Sequence, residues 1–132
     1  MNKRILLIDD DRDDAELFEG ALNEVDDEAV FLYMGDSKEA LYKLRQRLMP
    51  LPDIIFLDIN MPVISGWDFL KEFKADGFLN KVPIIMYSTS SHQKEISLAK
   101  DLGAASFLTK PTNYSELKTR VKDILESFNH KE

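Results

Sequence analysis

Polar side chains follow the short apolar stretches of this 132-residue chain. They are two adjacent carboxylates, a third carboxylate, a hydroxyl and an ammonium group: Asp9, Asp10, Asp58, Ser88 and Lys110. If the carboxylates meet in one pocket, two of them about 4 Å apart repel each other by about 4 kcal/mol at an effective dielectric near 20. Such a pocket either raises a pKa or binds a cation.

The chemistry of these groups together is that of phosphoryl transfer. Oxygen ligands with no histidine or thiol nearby suit Mg²⁺. This ion is typically bound by one or two carboxylates, and waters and a phosphate oxygen complete its coordination. An ammonium group at Lys110 can pair with a phosphoryl oxygen, and Ser88 adds a hydroxyl donor. A carboxylate nucleophile, a metal, a cation and a hydroxyl are therefore all present.

Asp58 has the most distinctive sequence context of these residues. Four apolar residues, 54–57, precede it without any alternation, which indicates a strand buried on both faces of a parallel sheet. Open α/β sheets bind ligands at the carboxyl ends of their strands, which is where Asp58 falls. Taken alone, Asp58 is better explained as an acid that caps a turn, and the rest of the chain has to outweigh that interpretation.

The elements that position these residues alternate strictly between strands and helices. The pattern predicts five strands, at 4–8, 30–34, 54–57, 84–87 and 105–108. Alternation of this kind predicts a doubly wound parallel α/β sheet with five helices on both faces. Strand order 2-1-3-4-5 would place strands 1 and 3 side by side at the topological switch point, but periodicity does not supply that order.

Helix ends are also visible in the sequence. Asp11, Asp36 and Asn113 are predicted N-caps, the last two with a glutamate three residues later, and Gly103 suits the position after a helix. The second helix is predicted to carry Leu48 on its apolar face and to be stopped by the prolines at 50 and 52.

Composition narrows the possible functions. The net charge of −7 and the scattered basic residues argue against direct nucleic-acid binding, because phosphate neutralisation supplies most of that affinity. The chain has no cysteine, so disulfides and thiolate sites are excluded. The apolar stretch at the N-terminus is too short for a signal peptide or a membrane span. These features predict one cytoplasmic domain over residues 1–132, with a core at about 3–128 and no output domain.

Four segments, in order and at these spacings, resemble the receiver domain of two-component response regulators. They read ILLIDDD, IIFLDINMPVISG, PIIMYSTS and GAASFLTKP, and the resemblance spans essentially the whole chain. It implies a flavodoxin-like fold with strand order 2-1-3-4-5. The long segment after Gly77, and the absence of a phenylalanine after Lys110 and Pro111, are most similar to stand-alone receivers that partner phytochrome-like histidine kinases.

The resemblance assigns the phosphoacceptor and the metal ligands. It implies that Asp58 is the phosphoacceptor aspartate. It also implies that Asp9 and Asp10 bind Mg²⁺, with Asp10 the more direct ligand, together with Asp58 and the backbone carbonyl of Asn60.

The switch residues are assigned in the same way. Ser88 matches the position of the switch hydroxyl, and Phe107 matches the aromatic residue that turns inward on activation. Lys110 matches the lysine that family members carry at this site. The resemblance further implies a cis bond between Lys110 and Pro111. Thr112 replaces an aromatic that follows this pair in many transcription-factor receivers, so their dimer face is not assumed.

The function implied is that of a single-domain response regulator. Asp58 would accept a phosphoryl group from a sensor histidine kinase or a histidine phosphotransfer protein, and the signal would pass to an unknown downstream protein, with a homodimer possible. The chain would catalyse only its own phosphorylation and dephosphorylation, so it is not predicted to be an enzyme in the ordinary sense.

Two other interpretations remain open at the level of sequence. One is a small Mg²⁺-dependent phosphatase of the haloacid-dehalogenase type, in which Asp9 of the Asp9-x-Asp11 pattern would be the nucleophile. The other is a pseudo-receiver that binds partners without phosphate. Asp11 is interpreted as a helix cap, Thr89 and Ser90 as pocket-entrance or helix-capping residues, and His92 as a surface residue.

Overall fold

The computed structural model describes residues 3–90 and 92–129 as five strands alternating with five helices. The strands are β1 (Arg4–Ile8), β2 (Val30–Met34), β3 (Ile54–Asp58), β4 (Ile84–Ser88) and β5 (Ser106–Thr109). The helices are α1 (Arg12–Val25), α2 (Ser37–Arg45), α3 (Gly66–Ala75), α4 (Gln93–Asp101) and α5 (Tyr114–Asn129). The predicted strand positions agree with these bounds to within one residue.

All five strands are parallel and lie in the order β2-β1-β3-β4-β5. The doubly wound fold and the strand order that the resemblance implied are both confirmed. β1 and β3 are direct neighbours, with Ile8 opposite Leu57 in the register. The carboxyl ends of these two strands therefore open at the same point of the sheet edge, which is the topological switch point.

Each face of the sheet carries its own apolar core. One core packs α1 and α5 against the sheet around Phe18 and Phe56, whose rings meet edge to face at 4.8 Å. The other core packs α2, α3 and α4 against the opposite face around Phe69 and Phe73. Every residue of β3 is buried, as the unbroken apolar run predicted, because helices cover both faces of a parallel sheet.

The predicted helix caps are confirmed. The side chains of Asp11 and Asp36 each accept backbone N–H groups of the first turn of their helices, and Asn113 accepts the N–H of Glu116. Gly103 follows α4 at a φ of 97°, a left-handed conformation that glycine adopts without steric cost.

The prediction for the end of the second helix is wrong. α2 ends at Arg45, and Leu48 is exposed instead of lying on its apolar face. Arg47 adopts a φ of 57°, while the N–H of Leu48 donates to Lys43 and the N–H of Arg47 to Leu44. These two bonds form a Schellman motif, which ends the helix before the prolines are reached.

Within the described ranges, no helix is long and apolar enough to cross a membrane.

Candidate functional site

Three carboxylates meet at the carboxyl edge of the sheet. Asp9 follows β1, Asp58 is the last residue of β3, and Asp10 lies beside Asp9; one oxygen from each falls within 4.8 Å of the other two. Asp9 is fully buried and Asp58 is 6% exposed, whereas Asp10 is exposed to solvent. The structure thus brings together the three acids that the strand-end pattern singled out.

Lys110 supplies the positive charge at this site. Its Nζ lies 2.8 Å from Asp9 Oδ2, 2.9 Å from Asp14 Oδ2 and 3.9 Å from Asp58 Oδ1. It also lies 5.2 Å from the centre of the Tyr87 ring. Burial opposes the charge on Lys110, but the hydrogen bond to Asp14 and the contact with Asp9 outweigh it and raise the pKa of the lysine. Lys110 therefore remains an ammonium group throughout the physiological range.

The electrostatics of the site single out Asp58. Burial raises the pKa of Asp58 from 3.8 to about 6, repulsion from Asp9 adds to this, and the charge of Lys110 opposes it. The N–H of Asn60 donates to Asp58 Oδ1 over 3.4 Å, a long hydrogen bond that also lowers the pKa. At neutral pH the Asp58 carboxylate is then charged but more basic than an exposed aspartate.

The donor set fits a divalent cation. Asp9 Oδ1 accepts the N–H of Asp11 at 2.9 Å. Its other oxygen, Oδ2, is buried and forms an ion pair with Lys110 at 2.8 Å, and no other donor contacts it among the described residues. A cluster of three carboxylates with only one ammonium group beside it in the described ranges is a suitable site for a hard cation. The roles of Asp9, Asp10, Asp58 and the carbonyl of Asn60 as metal ligands stay predictions.

Ser88 and Phe107 lie on neighbouring strands beside the acids. Ser88 is buried, and its Oγ accepts the N–H of Ser90 at 3.1 Å. Its carbonyl accepts the N–H of Lys110 at 2.6 Å, which joins the ends of β4 and β5. Phe107 is half-buried against the core under α4 and borders a groove of about 430 Å³ between α4 and β5. Their roles in switching stay predictions.

The segment between β4 and α4 contains Thr89, Ser90 and His92, three residues considered in the sequence analysis. His92, not Thr89 or Ser90, is the N-cap residue of α4, and His92 is exposed as predicted. The Oγ of Ser90 instead donates to the side chain of Glu95 in the first turn of α4. Thr89 is exposed directly after Ser88.

The cis bond expected between Lys110 and Pro111 is contradicted. No peptide bond within residues 3–90 and 92–129 is cis, so this bond is trans. The trans isomer is the intrinsically favoured one for a bond to proline, by about 0.5 to 1 kcal/mol.

Sequence reasoning missed three residues that shape the site. Asp14 binds Lys110; it lies one helical turn before the buried Phe18, and that spacing places it on the inward face of α1. The phenol of Tyr33 donates to the carbonyl of Asp9 at 2.7 Å, a contact with no sequence signal.

Gly66 is the third missed residue. A Cβ there would clash with the carbonyl oxygen of Asp58 and lie 2.7 Å from the Cα of Ile59. The start of α3 can therefore reach the end of β3 only because residue 66 has no side chain.

The side chain of Asp11 caps α1 and does not take part in the carboxylate cluster formed by Asp9, Asp10 and Asp58. Its side chain accepts the N–H groups of Asp13 and Asp14 at the start of α1. Asp9, the nucleophile that a phosphatase of the haloacid-dehalogenase type would need, is fully buried and paired with Lys110. The predicted cap is confirmed for Asp11, and no contact of this pair favours the phosphatase interpretation.

The fold and the site together define a doubly wound α/β domain that places two buried carboxylates, Asp9 and Asp58, beside a lysine at the carboxyl edge of the sheet. The chain belongs to the response regulator receiver domain family, whose family model matches residues 5–122. Response regulator Rcp1 of Synechocystis sp. is 29% identical over 96% of this chain and 88% of that protein. DNA-binding response regulator MtrA of Mycobacterium leprae is 33% identical over 92% of this chain, but the chain spans only 51% of MtrA.

Solved structures give the same result. The phosphorylated cyanobacterial phytochrome response regulator RcpA superposes with a TM-score of 0.87 at 33% identity, covering 96% of this chain and 93% of that one. The Mn²⁺-bound form of Rcp1 superposes with a TM-score of 0.83 at 28% identity, covering 92% and 91%. The predicted family and fold are confirmed, and the similar structures include a phytochrome response regulator.

Proposed function

We propose that this chain accepts a phosphoryl group on Asp58 from a phosphohistidine and signals by the conformational change that follows. The observation that carries the proposal is the position of Asp58: a buried carboxylate at the end of β3, next to two further acids and 3.9 Å from an ammonium group. Its pKa of about 6 leaves it ionised at neutral pH while making it a stronger base, and so a better nucleophile, than an ordinary aspartate.

The transfer forms one bond and breaks one. An oxygen of Asp58 attacks phosphorus, the phosphorus–nitrogen bond of the donor breaks, and its electron pair stays on the imidazole nitrogen, which then takes up a proton from solvent. Asp9, Asp10, Asp58 and the carbonyl of Asn60 would hold Mg²⁺, which when bound neutralises charge on the phosphoryl oxygens. Lys110, 3.9 Å from Asp58 Oδ1, supplies a second positive charge.

The switch step runs through Ser88 and Phe107. The acyl phosphate would attract the hydroxyl of Ser88, which now accepts a hydrogen bond from the N–H of Ser90. Moving that hydroxyl makes room for Phe107 to turn inward from the groove between α4 and β5. The surface formed by α4, β5 and α5 would then change shape for a downstream partner, as a local charge change biases a two-state element.

The donor is proposed to be a sensor histidine kinase, or a phosphotransfer protein that relays from one. The likeness to RcpA, a phytochrome response regulator, supports a phytochrome-type kinase as the donor. In this role the chain catalyses only its own phosphorylation and dephosphorylation.

The proposal is tested by incubating the protein with acetyl phosphate and Mg²⁺ and following the intact mass. We expect one added phosphoryl group in the wild-type protein and none in Asp58→Asn. Asp53→Asn is the matched control, because Asp53 precedes the same strand at the opposite edge of the sheet and is exposed. Modification of Asp58→Asn at the wild-type rate would disprove the assignment.

The switch has its own test. Ser88→Ala should still be phosphorylated, because Asp58, Lys110 and the acids are untouched. The NMR signals of the Phe107 ring should shift on beryllofluoride binding in the wild-type protein and stay in place in Ser88→Ala. An equal shift in both proteins would separate Ser88 from the switch.

A further inference from the structure

Asp14 forms a hydrogen bond with the side chain of Lys110. Lys110 Nζ donates to Asp14 Oδ2 at 2.9 Å, across 96 residues of chain. Its contact with Asp9 Oδ2, at 2.8 Å, is a buried ion pair. Its distance of 3.9 Å to Asp58 is beyond hydrogen-bond range. The ammonium group is thus held closer to Asp14 and Asp9 than to the proposed phosphoacceptor.

The position of Asp14 is well suited to hold this anchor. It lies in the first turn of α1, whose N-terminus is fixed by the Asp11 cap and whose Phe18 is fully buried in the core. The Asp14 side chain is 31% exposed and that of Lys110 is 10% exposed. The pair therefore lies at the rim of the pocket, where it can open without exposing the core.

A phosphoryl group on Asp58 would compete for the same ammonium. New phosphoryl oxygens next to Asp58 attract Lys110, but the ammonium group cannot move toward them without lengthening its bond to Asp14. The energy of that bond then stabilises the unmodified state and is absent, or reduced, in the modified state. Only differential contacts of this kind can shift an equilibrium between two states.

We propose that Asp14 is a positioning residue that holds Lys110 back from Asp58 and thereby weakens the binding of a phosphoryl group at the site. This inference rests on the proposed phosphoacceptor function. It follows that neutralising Asp14 should favour the phosphoryl-bound state, although it removes a partner of a functional lysine. An ordinary supporting role for Asp14 predicts the opposite sign.

The test is a titration with beryllofluoride, a phosphoryl mimic, at a Mg²⁺ concentration that saturates each variant. Binding is read from the fluorescence of Trp67, which is half-buried and directly follows Gly66, the residue that packs against the end of β3. Asp14→Asn keeps the shape and an acceptor oxygen but removes the charge. Asp13→Asn is the matched control, because it removes a charge from the same helical turn at an exposed position.

We expect Asp14→Asn to bind beryllofluoride about fivefold more tightly than Asp13→Asn, the upper range of what a partly exposed ion pair contributes. Asp14→Glu, which restores the charge, should return to within about twofold of the wild-type protein by the same reasoning. Equal affinity of Asp14→Asn and Asp13→Asn, or weaker binding by Asp14→Asn, would overturn the inference. So would an Asp14→Glu protein that binds as tightly as Asp14→Asn.

The same titration separates this inference from the function on which it rests. A wild-type protein that does not bind beryllofluoride, or that binds it as Asp58→Asn does, refutes the phosphoacceptor role itself. If the wild-type protein binds beryllofluoride and Asp58→Asn does not, the phosphoacceptor role stands. The comparison of Asp14→Asn with Asp13→Asn then decides the role of Asp14.

Discussion

Replacing Asp58 by asparagine should stabilise the metal-free protein at neutral pH. Asparagine has nearly the shape of a protonated aspartic acid and keeps an oxygen that can accept the Asn60 N–H, but it carries no charge. Burial, with repulsion from Asp9, raises the pKa of Asp58 from 3.8 to about 6 in the folded protein. Each pKa unit corresponds to about 1.4 kcal/mol, so the substitution should add up to about 3 kcal/mol to the free energy of unfolding.

The sign of the pH dependence follows from where the proton is held. Between about pH 4 and pH 6 the folded protein keeps a proton on Asp58 that the unfolded chain has released, so wild-type stability falls as pH rises through this window. The Asp58→Asn protein has no such group. The difference in stability between the two proteins should therefore be absent near pH 4 and complete above about pH 6.

The measurement is urea unfolding followed by circular dichroism, in the presence of a chelator, near pH 4 and near pH 8. Asp123→Asn, an exposed change on α5, is the control for loss of one negative charge. Added Mg²⁺ should stabilise the wild-type protein more than Asp58→Asn, because a ligand stabilises only the state that binds it. If Asp58→Asn is no more stable than the wild type near pH 8, burial does not destabilise the charged form of Asp58, and the argument for its basicity is lost.

Three further substitutions test the local geometry by chemical denaturation. Gly66→Ala should destabilise the fold by about 2 kcal/mol or more, because the added Cβ clashes with the backbone at the end of β3. Gly77→Ala is the control and should change stability little, because the space around Gly77 is open. Val63→Gly should stabilise by about 0.5 to 1 kcal/mol, because Val63 is exposed and strained at a φ of 68°; a loss of stability would contradict this account. Tyr33→Phe should cost about 1 kcal/mol through the lost hydrogen bond to the Asp9 carbonyl, and an unchanged midpoint would show that this bond contributes nothing.

Much of the architecture could be predicted because the relevant signals are local. The unbroken apolar run before Asp58 predicted a strand buried on both faces, and β3 is buried at every residue. The N-caps at Asp11 and Asp36 were visible because a cap depends on a side chain and the backbone two or three residues later. The end of α2 was mispredicted because a left-handed Arg47 gives no compositional signal of the kind that glycine gives.

The candidate site was predicted in part, and the missing part is non-local. Strand-end position identified Asp9, Asp58 and Lys110 as pocket residues, and the structure places them together. It could not identify Asp14 as the residue that Lys110 binds, nor Tyr33 as the donor to the Asp9 carbonyl. Each of these contacts joins segments at least 24 residues apart, which no periodicity describes.

The sequence by itself determined the order of strands and helices, the acids at the strand ends and the family to which the chain belongs. Only the tertiary structure decided which carboxylate binds the ammonium of Lys110 and how far the pKa of Asp58 is raised. The physical reason is that apolar periodicity and capping are properties of neighbouring residues. The charge state of a buried carboxylate depends instead on its desolvation and on charges that the fold brings from distant segments.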